Sequence, residues 1–293
     1  MTETDLLATR LAAAGFADIV SLEPAYGGVV AHAGLATRED GTRLFAKTIA
    51  DPGADLFAVE AEGLRALAAV PGVHTPAVRL VAADLLVLEP LRARLDSTEF
   101  WATLGHMVAT LHTTTGSERF GWHRDGWLGR LRQHNAWSDD GHAFFAEHRI
   151  LRWLTEPLVS AAFDADDRRA LEHLCERLPD LVPDQPAALT HGDLWTGNVL
   201  ADAAGQPVLI DPAVSYTWPE VDLSMMWSCD RPAESDAFFA AYEEVARPHD
   251  GWRDRMPLLH LRELLSQIAH GDGDWGALEM IRKTIAPFRR VGQ

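Results

Sequence analysis

The sequence has little cysteine, a deficit of basic residues and no long apolar run, and each shortage excludes a class of protein. Two cysteines among 293 residues, Cys175 and Cys229, are too few for a disulfide framework and lack metal-site spacing. Lys and Arg number 26 against 43 Asp and Glu, a formal net charge of −17. That balance argues against nucleic acid or an anionic membrane as a partner, because both attract basic surfaces.

Targeting and zinc signals are missing as well. No apolar stretch approaches the roughly 20 residues of a membrane span, and the acidic N-terminal residues do not read as a signal peptide. The 13 histidines include no H-E-x-x-H pair, so a zinc role is unsupported. We therefore expect a cytoplasmic protein whose two thiols stay reduced.

The most informative segment is the run from His191 to Asn198, which is followed after a short apolar stretch by Asp211. Its spacing matches the kinase catalytic loop H-x-D-x-x-x-x-N and a later metal-binding Asp. Asp193 is suited to orient and deprotonate an acceptor hydroxyl, and Asn198 and Asp211 are suited to hold Mg²⁺ against the phosphates of ATP. The alternative is that these side chains only cap a turn, but the complete spacing favours the kinase interpretation. His191 is expected to brace the loop by hydrogen bonding, since Asp193 already fills the role of base.

A short hairpin is predicted between the two metal ligands. Val199-Leu200 and Pro207 to Ile210 flank a turn at Ala203 to Gln206, which is the pattern of two short strands. Such a hairpin would fold Asp211 back beside Asn198.

A second pair of charges precedes this loop. Lys47 ends a predicted third strand, and Glu60 lies on a helix with apolar residues spaced from Phe57 to Ala68. Kinases use a Lys and a Glu in these places to hold the α and β phosphates. Each alone would read as a solvated surface charge, and only their order ahead of the catalytic loop favours the ion pair. Gly27 and Gly28 are a candidate phosphate-covering turn, although they do not match G-x-G-x-x-G and an ordinary hairpin turn competes.

The predicted fold is α+β and bilobal, like that of protein kinases. Residues 1–90 form an N-terminal nucleotide-binding lobe, a five-stranded antiparallel sheet with one main helix. Strands at Val78 to Val81 and Leu85 to Leu88 complete this sheet, and the connector after them, with Glu89 and Leu91, could bond an adenine through backbone groups. Residues 91–293 form a mostly helical lobe for catalysis and substrate binding.

Helices in the second lobe are predicted from apolar periodicity. The first carries Phe100 to Leu111 and has Asp96 with Glu99 as a capping arrangement. The others are predicted over residues 144–154, 168–178, 237–245, 258–269 and 275–285. Residues 113–141 have the composition of a loop, which is where functional residues concentrate.

These residues resemble a known family, the fructosamine (ketosamine) kinases, which are relatives of aminoglycoside and choline kinases. The resemblance covers nearly the whole chain. It depends on the catalytic loop with its Asp-Leu-Trp form and on the Gln-x-Asn-x-Trp segment, which separate this family from the aminoglycoside kinases. Further matches are Phe45-Ala46-Lys47, Phe57 to Leu64, Leu104-Gly105 to Leu111-His112, residues 144–149, Asp211-Pro212-Ala213 and Glu220 to Leu223.

The resemblance implies several roles. Lys47, Glu60, Asp193, Asn198 and Asp211 take the roles given above. A second group concerns the acceptor and the support of the loop: Trp195 borders the sugar, Gln133, Asn135 and Trp137 supply amide donors and a second wall, and Asp222 ties its helix to the catalytic loop. For Asp222 the alternative is a helix N-cap. The segment Arg132 to Asn135 departs from the family's Pro-Gln-Pro-Asn, and a Trp expected before Phe144 is absent.

The sequence thus predicts an ATP- and Mg²⁺-dependent kinase for a hydroxyl of a small sugar-amine, a ketosamine such as a fructosamine or ribulosamine, with a role in deglycation. One alternative is a phosphotransferase for an aminoglycoside, amino sugar or amino alcohol. Another is a catalytically silent nucleotide-binding module, which the intact Lys47, Asp193, Asn198 and Asp211 disfavour. A protein kinase is disfavoured because Asp-Pro-Ala replaces D-F-G. The oligomeric state stays open, and a monomer is compatible with the sequence.

Overall fold

The computed structural model describes residues 2–25, 31–50, 55–271, 273 and 276–289. The chain divides into two compact units. The first consists of Met1–Met107, Gly197–Pro212 and Ala233–Ala241, and the second of Val108–Thr196, Ala213–Pro232 and Tyr242–Gln293. The lobe boundary after residue 90 stays a prediction.

The first unit contains the predicted five-stranded antiparallel sheet, which is confirmed. A helix, α1 (Glu3–Ala13), precedes it, and α2 (Leu56–Ala68) follows the third strand. The strands are β1 (Ile19–Ala25), β2 (His32–Arg38), β3 (Arg43–Thr48), β4 (Val78–Val81) and β5 (Leu85–Leu88). Their order across the sheet is β1-β2-β3-β5-β4.

The two helices cover opposite faces of this sheet because the strand side chains alternate. In β3, Leu44 and Ala46 pack with Leu7 and Leu11 of α1. Phe45, on the other side of the same strand, packs against the cluster that contains the apolar face of α2. Lys47 is two residues further along, so the alternation directs it toward α2. The period of the strand thus aims the ammonium at the helix that carries Glu60.

The helix after the connector begins differently from the prediction. It spans Thr98–Thr114 as α3, and the N–H of Phe100 donates to Ser97 Oγ at 3.1 Å. Asp96 instead accepts from Arg94 Nε at 2.8 Å. The predicted capping by Asp96 is therefore wrong, because Arg94 binds that carboxylate and Ser97 is left to cap the helix.

The rest of the chain combines short strands with helices. In chain order they are β6 (Gly126–Leu128), β7 (Leu131–Gln133), α4 (Gly141–Phe145), α5 (Pro157–Ala162), α6 (Ala165–Glu176), α7 (Leu178–Leu181), β8 (Ala188–Thr190), β9 (Val199–Ala201), β10 (Pro207–Leu209), β11 (Ser215–Thr217), α8 (Glu220–Ser228), α9 (Asp236–Val245), α10 (Trp252–Leu259), α11 (Leu261–His270) and α12 (Ala277–Ile285). No helix among the described residues is both long and apolar enough to cross a bilayer.

Two predicted helices are broken in the structure. The helix expected over residues 144–154 is α4 followed by a π-helical turn (Ala146–Ile150) and a 3₁₀ turn (Leu151–Thr155). The helix expected over residues 258–269 is α10, which contains Pro257, and then α11. Apolar periodicity fails here because it cannot register a change of helical pitch or a junction between two helices whose apolar faces both point inward. The predicted loop over residues 113–141 contains the β6–β7 hairpin.

Candidate active site

Three side chains of the first unit form an ionic cluster around a buried lysine. Lys47 lies on β3 and is 4% exposed. Its Nζ donates to Glu60 Oε1 of α2 at 2.8 Å and also to Asp211 Oδ1. The structure therefore joins the predicted phosphate-binding lysine, its predicted partner and one predicted metal ligand, although Asp211 lies 164 residues from Lys47 in the sequence.

The charges of this cluster, two carboxyl groups against one ammonium, are compatible with an additional cation. Burial disfavours a charged Lys47, but the Asp211 and Glu60 carboxylates outweigh it and hold the pKa of the ammonium above its ordinary value. Burial raises the pKa of Glu60 to about 7, despite the opposing attraction of Lys47. Two carboxyl groups share one ammonium, so a divalent cation beside Asp211 would lower the electrostatic cost of ionising both carboxyl groups.

The predicted hairpin is confirmed as β9 and β10, in which Leu209 pairs with Val199. At its base the N–H of Ile210 donates to the carbonyl of Asn198 at 3.1 Å, so Asp211 is the next residue after a bonded partner of Asn198. Asp211 has φ of 52°, a left-handed conformation that Asp tolerates better than most residues. The backbone therefore turns away from the direction of β10 at Asp211, the proposed metal ligand.

The donor set at the hairpin base suits Mg²⁺. Asn198 and Asp211 offer an amide oxygen and a carboxylate, the hard oxygen ligands that Mg²⁺ takes together with phosphate oxygens and waters. Among the described residues no group of three or more His, Cys, Asp or Glu is arranged to hold a metal ion. Such a group is what a fully protein-ligated zinc centre would require.

The catalytic-loop segment lies in the second unit, directly after β8. Asp193 is half-buried, between the fully buried Gly192 and Leu194. The N–H of Asp193 donates to His191 Nδ1 at 3.2 Å, which is a bracing contact of the kind expected for His191. Trp195 is 38% exposed, so its ring borders solvent.

A buried carboxylate on α8 holds this loop. Asp222 is fully buried and accepts from the N–H of His191 at 2.7 Å and from the N–H of Gly192 at 2.8 Å. Its Oδ2 lies 3.1 Å from His112 Nε2, and His112 Nδ1 lies 2.9 Å from the Tyr242 hydroxyl. Burial alone would raise the pKa of Asp222, but the hydrogen bond and charge of His112 and the other donors hold it below its usual range. Asp222 is buried at the third position of α8 and its carboxylate bonds the loop, so its contacts are not those of an N-cap.

The two amides expected to face the acceptor are both buried instead. Gln133 and Asn135 are 2% and 1% exposed. Gln133 donates to the Ala213 carbonyl and accepts from Arg262, while Asn135 accepts from Arg149. Of the predicted acceptor-side residues in this segment, Trp137 alone is exposed, at 39%.

The remaining nucleotide-side predictions are less constrained. Gly27 and Gly28 lie outside the described residues. Glu89 exchanges hydrogen bonds with Ala77: its N–H donates to the Ala77 carbonyl at 2.9 Å, and its Oε2 accepts from the Ala77 N–H at 3.2 Å. Leu91 is half-buried, and the next residue, Arg92, forms a bridge to Ala201.

Sequence reasoning missed four buried polar residues behind the catalytic loop. They are His112, Tyr242, Arg149 and Arg262. His112 lies 110 residues from Asp222 and 130 from Tyr242, and Arg262 lies 129 from Gln133. No local motif marks such contacts. A single sequence shows these residues but not which of them meet in the fold.

Comparison with known proteins assigns the family. The fructosamine kinase family model matches residues 6–286. A probable ketoamine kinase from Synechocystis sp. is 34% identical over 216 residues, which are 72% of each chain. A crystal structure named "putative fructosamine-3-kinase" from Thermobifida fusca is 32% identical and superposes with a TM-score of 0.84, covering 99% of this chain and 98% of that one.

More distant structures share the fold. The aminoglycoside phosphotransferase APH(4)-Ia is 15% identical and superposes with a TM-score of 0.64, covering 99% of this chain and all of the other. This similarity confirms the predicted protein-kinase-like fold. The family model that matches residues 6–286, together with the 34% identical ketoamine kinase, shows that the chain belongs to the fructosamine kinase family.

Proposed function

We propose that the protein transfers the γ-phosphoryl group of ATP to a hydroxyl of a ketosamine, a fructosamine or ribulosamine adduct of an amine, and thereby acts in deglycation. The observation that carries this proposal is the ionic cluster in which buried Lys47 contacts Glu60 and Asp211, in a member of a family of hydroxyl phosphotransferases. The cluster combines the phosphate-binding lysine and the metal ligand of a kinase.

Each group has a distinct task in this proposal. Asp193 accepts the hydrogen bond of the acceptor hydroxyl and takes its proton. Lys47 binds the α and β phosphates, and Glu60 fixes the direction of its ammonium. Asn198 and Asp211 bind Mg²⁺, which supplies charge neutralisation for the phosphates when bound.

Support for the acceptor comes from Trp195. Its exposed ring follows Asp193 by two residues, and an aromatic face packs well against the C–H surface of a sugar. Gln133 and Asn135 stay candidates for the acceptor side, but their buried amides favour an indirect contribution.

A cytoplasmic location fits ATP use and the two free cysteines. The Cys175 thiol is inert, because burial raises its pKa to about 12.

The test is ATP turnover with Mg²⁺ against fructosamines, ribulosamines, amino sugars, amino alcohols and aminoglycosides, using wild type and Asp193→Asn. We expect turnover with a ketosamine and a loss of about a hundredfold to ten-thousandfold in the variant, the range for a positioned general base. Exposed Asp184 offers a matched control, since Asp184→Asn removes a carboxylate of the same unit.

Two outcomes would contradict the proposal at different levels. Turnover of an aminoglycoside or amino alcohol without any ketosamine would overturn the acceptor and leave the kinase assignment intact. Turnover by Asp193→Asn within about threefold of wild type would overturn the assigned base.

A further inference from the structure

The residue before Asp193 packs against one backbone carbonyl. Gly192 has φ of +80°, and a Cβ built on it would lie 2.1 Å from the oxygen of Ala213. The N–H of Ala213 donates to the carbonyl of His191 at 2.8 Å. Residues 191 and 192 are therefore in close contact with the Ala213 backbone. Any rotation of the Ala213 carbonyl would displace the loop.

A buried side chain holds that carbonyl in place. Gln133 Nε2 donates to the Ala213 oxygen at 2.9 Å, and Gln133 Oε1 accepts from Arg262 Nη2 at 2.6 Å. A guanidinium can only donate, so it selects the amide orientation in which the NH₂ group faces Ala213. The arrangement fixes the amide without an ambiguity between its oxygen and nitrogen.

The cation at the far end is itself anchored. Arg262, at the second position of α11, is 2% exposed and also donates to the Glu263 carboxylate. A charged donor strengthens the hydrogen bond to the amide oxygen, and polarisation along the chain strengthens the next one. A chain of hydrogen bonds thus links the buried Arg262–Glu263 ion pair, through Gln133, to the Ala213 carbonyl at the base of the catalytic loop.

Asn135 offers a comparison two residues away. It also accepts from a buried guanidinium, Arg149 Nη2 at 2.7 Å, but its own NH₂ donates to the Arg124 carbonyl at 3.2 Å. That bond joins the two ends of the β6–β7 hairpin, whereas the Gln133 bond reaches Ala213. Of the two amides, Gln133 is the one connected to the catalytic loop.

From these contacts we infer that Gln133, oriented by Arg262, is a positioning residue that sets the place of Asp193 through the Ala213 carbonyl. The inference rests on the proposed function of Asp193. It assigns the buried Gln of the Gln-x-Asn-x-Trp segment to the geometry of the base and not to contact with the acceptor. Catalysis is sensitive to such support, because a displacement of about 1 Å can cost about a hundredfold in rate.

Two substitutions separate this role from simple packing. Gln133→Met keeps the volume and removes both hydrogen bonds. Gln133→Glu keeps the shape and can pair with Arg262, but its carboxylate has no N–H for the Ala213 carbonyl. Arg262→Lys is the conservative variant, since an ammonium can still donate to the Gln133 oxygen.

We expect kcat to fall about tenfold to a hundredfold in both Gln133 variants, with KM for ATP within about threefold of wild type, because the Lys47 cluster is untouched. Amide hydrogen exchange in residues 189–195 should accelerate in both, and Arg262→Lys should retain most of kcat. Arg282→Ala is the control for lost stability, because it breaks ion contacts with buried Asp167 on a helix that contributes nothing to this chain of bonds.

The inference is overturned if the Gln133 variants lose no more kcat, and exchange no faster in residues 189–195, than Arg282→Ala at a similar loss of melting temperature. If Gln133→Met does not fold, Gln133→Glu decides the question alone. If wild type phosphorylates no ketosamine, the proposed function fails. The exchange comparison still decides the positioning role in that case, because it needs no acceptor.

Discussion

Replacing Asp222 by Asn tests how the catalytic loop is held. The Asp222 carboxylate accepts from the backbone N–H groups of His191 and Gly192 at 2.7 and 2.8 Å, and from His112. Asparagine has the same shape but one oxygen and one NH₂ group. Whichever way the amide turns, an NH₂ group faces at least one donor, so at least one charge-assisted bond is lost.

The expected magnitude follows from those bonds. A hydrogen bond to a charged group contributes about 1.5–3 kcal/mol, and a buried donor left without a partner adds a desolvation cost of about 1–3 kcal/mol. We expect Asp222→Asn to lower the free energy of unfolding by about 2–4 kcal/mol. An unfolding entropy of about 2.1 cal/mol/K per residue gives a chain of this size about 0.6 kcal/mol/K, so the melting temperature should fall by roughly 3–7 °C.

The assay combines urea denaturation, thermal melting and steady-state kinetics. We expect kcat to fall, because the loop that carries Asp193 is held less firmly. KM for ATP should change little. Tyr242→Phe is a graded comparison, because it removes only the hydroxyl that bonds His112 and should cost about 1 kcal/mol. A loss below about 0.5 kcal/mol in Asp222→Asn, within the range of ordinary surface substitutions, would refute the reasoning.

Three further predictions concern other parts of the molecule. Asp211→Ala should abolish Mg²⁺-dependent ATP binding while adenosine still binds, and Lys47→Ala should weaken the phosphate contacts likewise; calorimetry showing unchanged metal-dependent affinity in both would contradict the metal placement. Trp195→Ala should raise KM for a ketosamine far more than KM for ATP, with little change in melting temperature since its ring is partly exposed, and an unchanged ketosamine KM would exclude the ring from the acceptor site. Burial lowers the pKa of His260 to about 4. Below a pH of about 6.5, His260 is therefore protonated in the unfolded chain but stays neutral in the folded protein. The free energy of unfolding should therefore fall by about 1.4 kcal/mol per pH unit between about pH 6.5 and 4. Denaturation curves should show a flatter acid limb in His260→Leu, and an equal slope would disprove this account.

Local patterns predicted the parts of the fold that depend on neighbouring residues. The strands at Val78–Val81 and Leu85–Leu88 have the predicted bounds, because short apolar runs between turn residues leave few alternatives. The β9–β10 hairpin is also local, and its strands are separated by only a few turn residues. The predicted pairing of Lys47 with Glu60 is not local, and it rests on a known chemistry that requires those groups together; the contact of Lys47 with Asp211 was not predicted and appears only in the structure.

Residue type was a poor guide to which side of the site an amide faces. The resemblance implied that Gln133 and Asn135 supply amide donors to the acceptor, and their loop-like segment agreed with that role. Arg262, which lies 129 residues from Gln133, and Arg149, which lies 14 residues from Asn135, donate to these amides and determine their orientation. A single sequence cannot pair such residues, because each guanidinium would be interpreted as a surface charge on its own helix.

The catalytic loop could be recognised from its motif, whereas its support was predicted only in part: the bracing roles of His191 and Asp222 were expected, and the contact of Gln133 with Ala213 was not. Asp193, Asn198 and Asp211 must be ionised or polar, correctly spaced and within reach of a nucleotide, and those demands leave a readable pattern. The contacts of Asp222 and Gln133 with residues 191, 192 and 213 are hydrogen bonds to backbone atoms, and any residue can offer a backbone group. Because the bonded partners have no required identity, the sequence at positions 191–213 carries no mark of them. Two sets of features therefore determine the loop. One is a set of side chains that a sequence motif identifies, and the other is a set of hydrogen bonds to backbone atoms that form only in the folded chain.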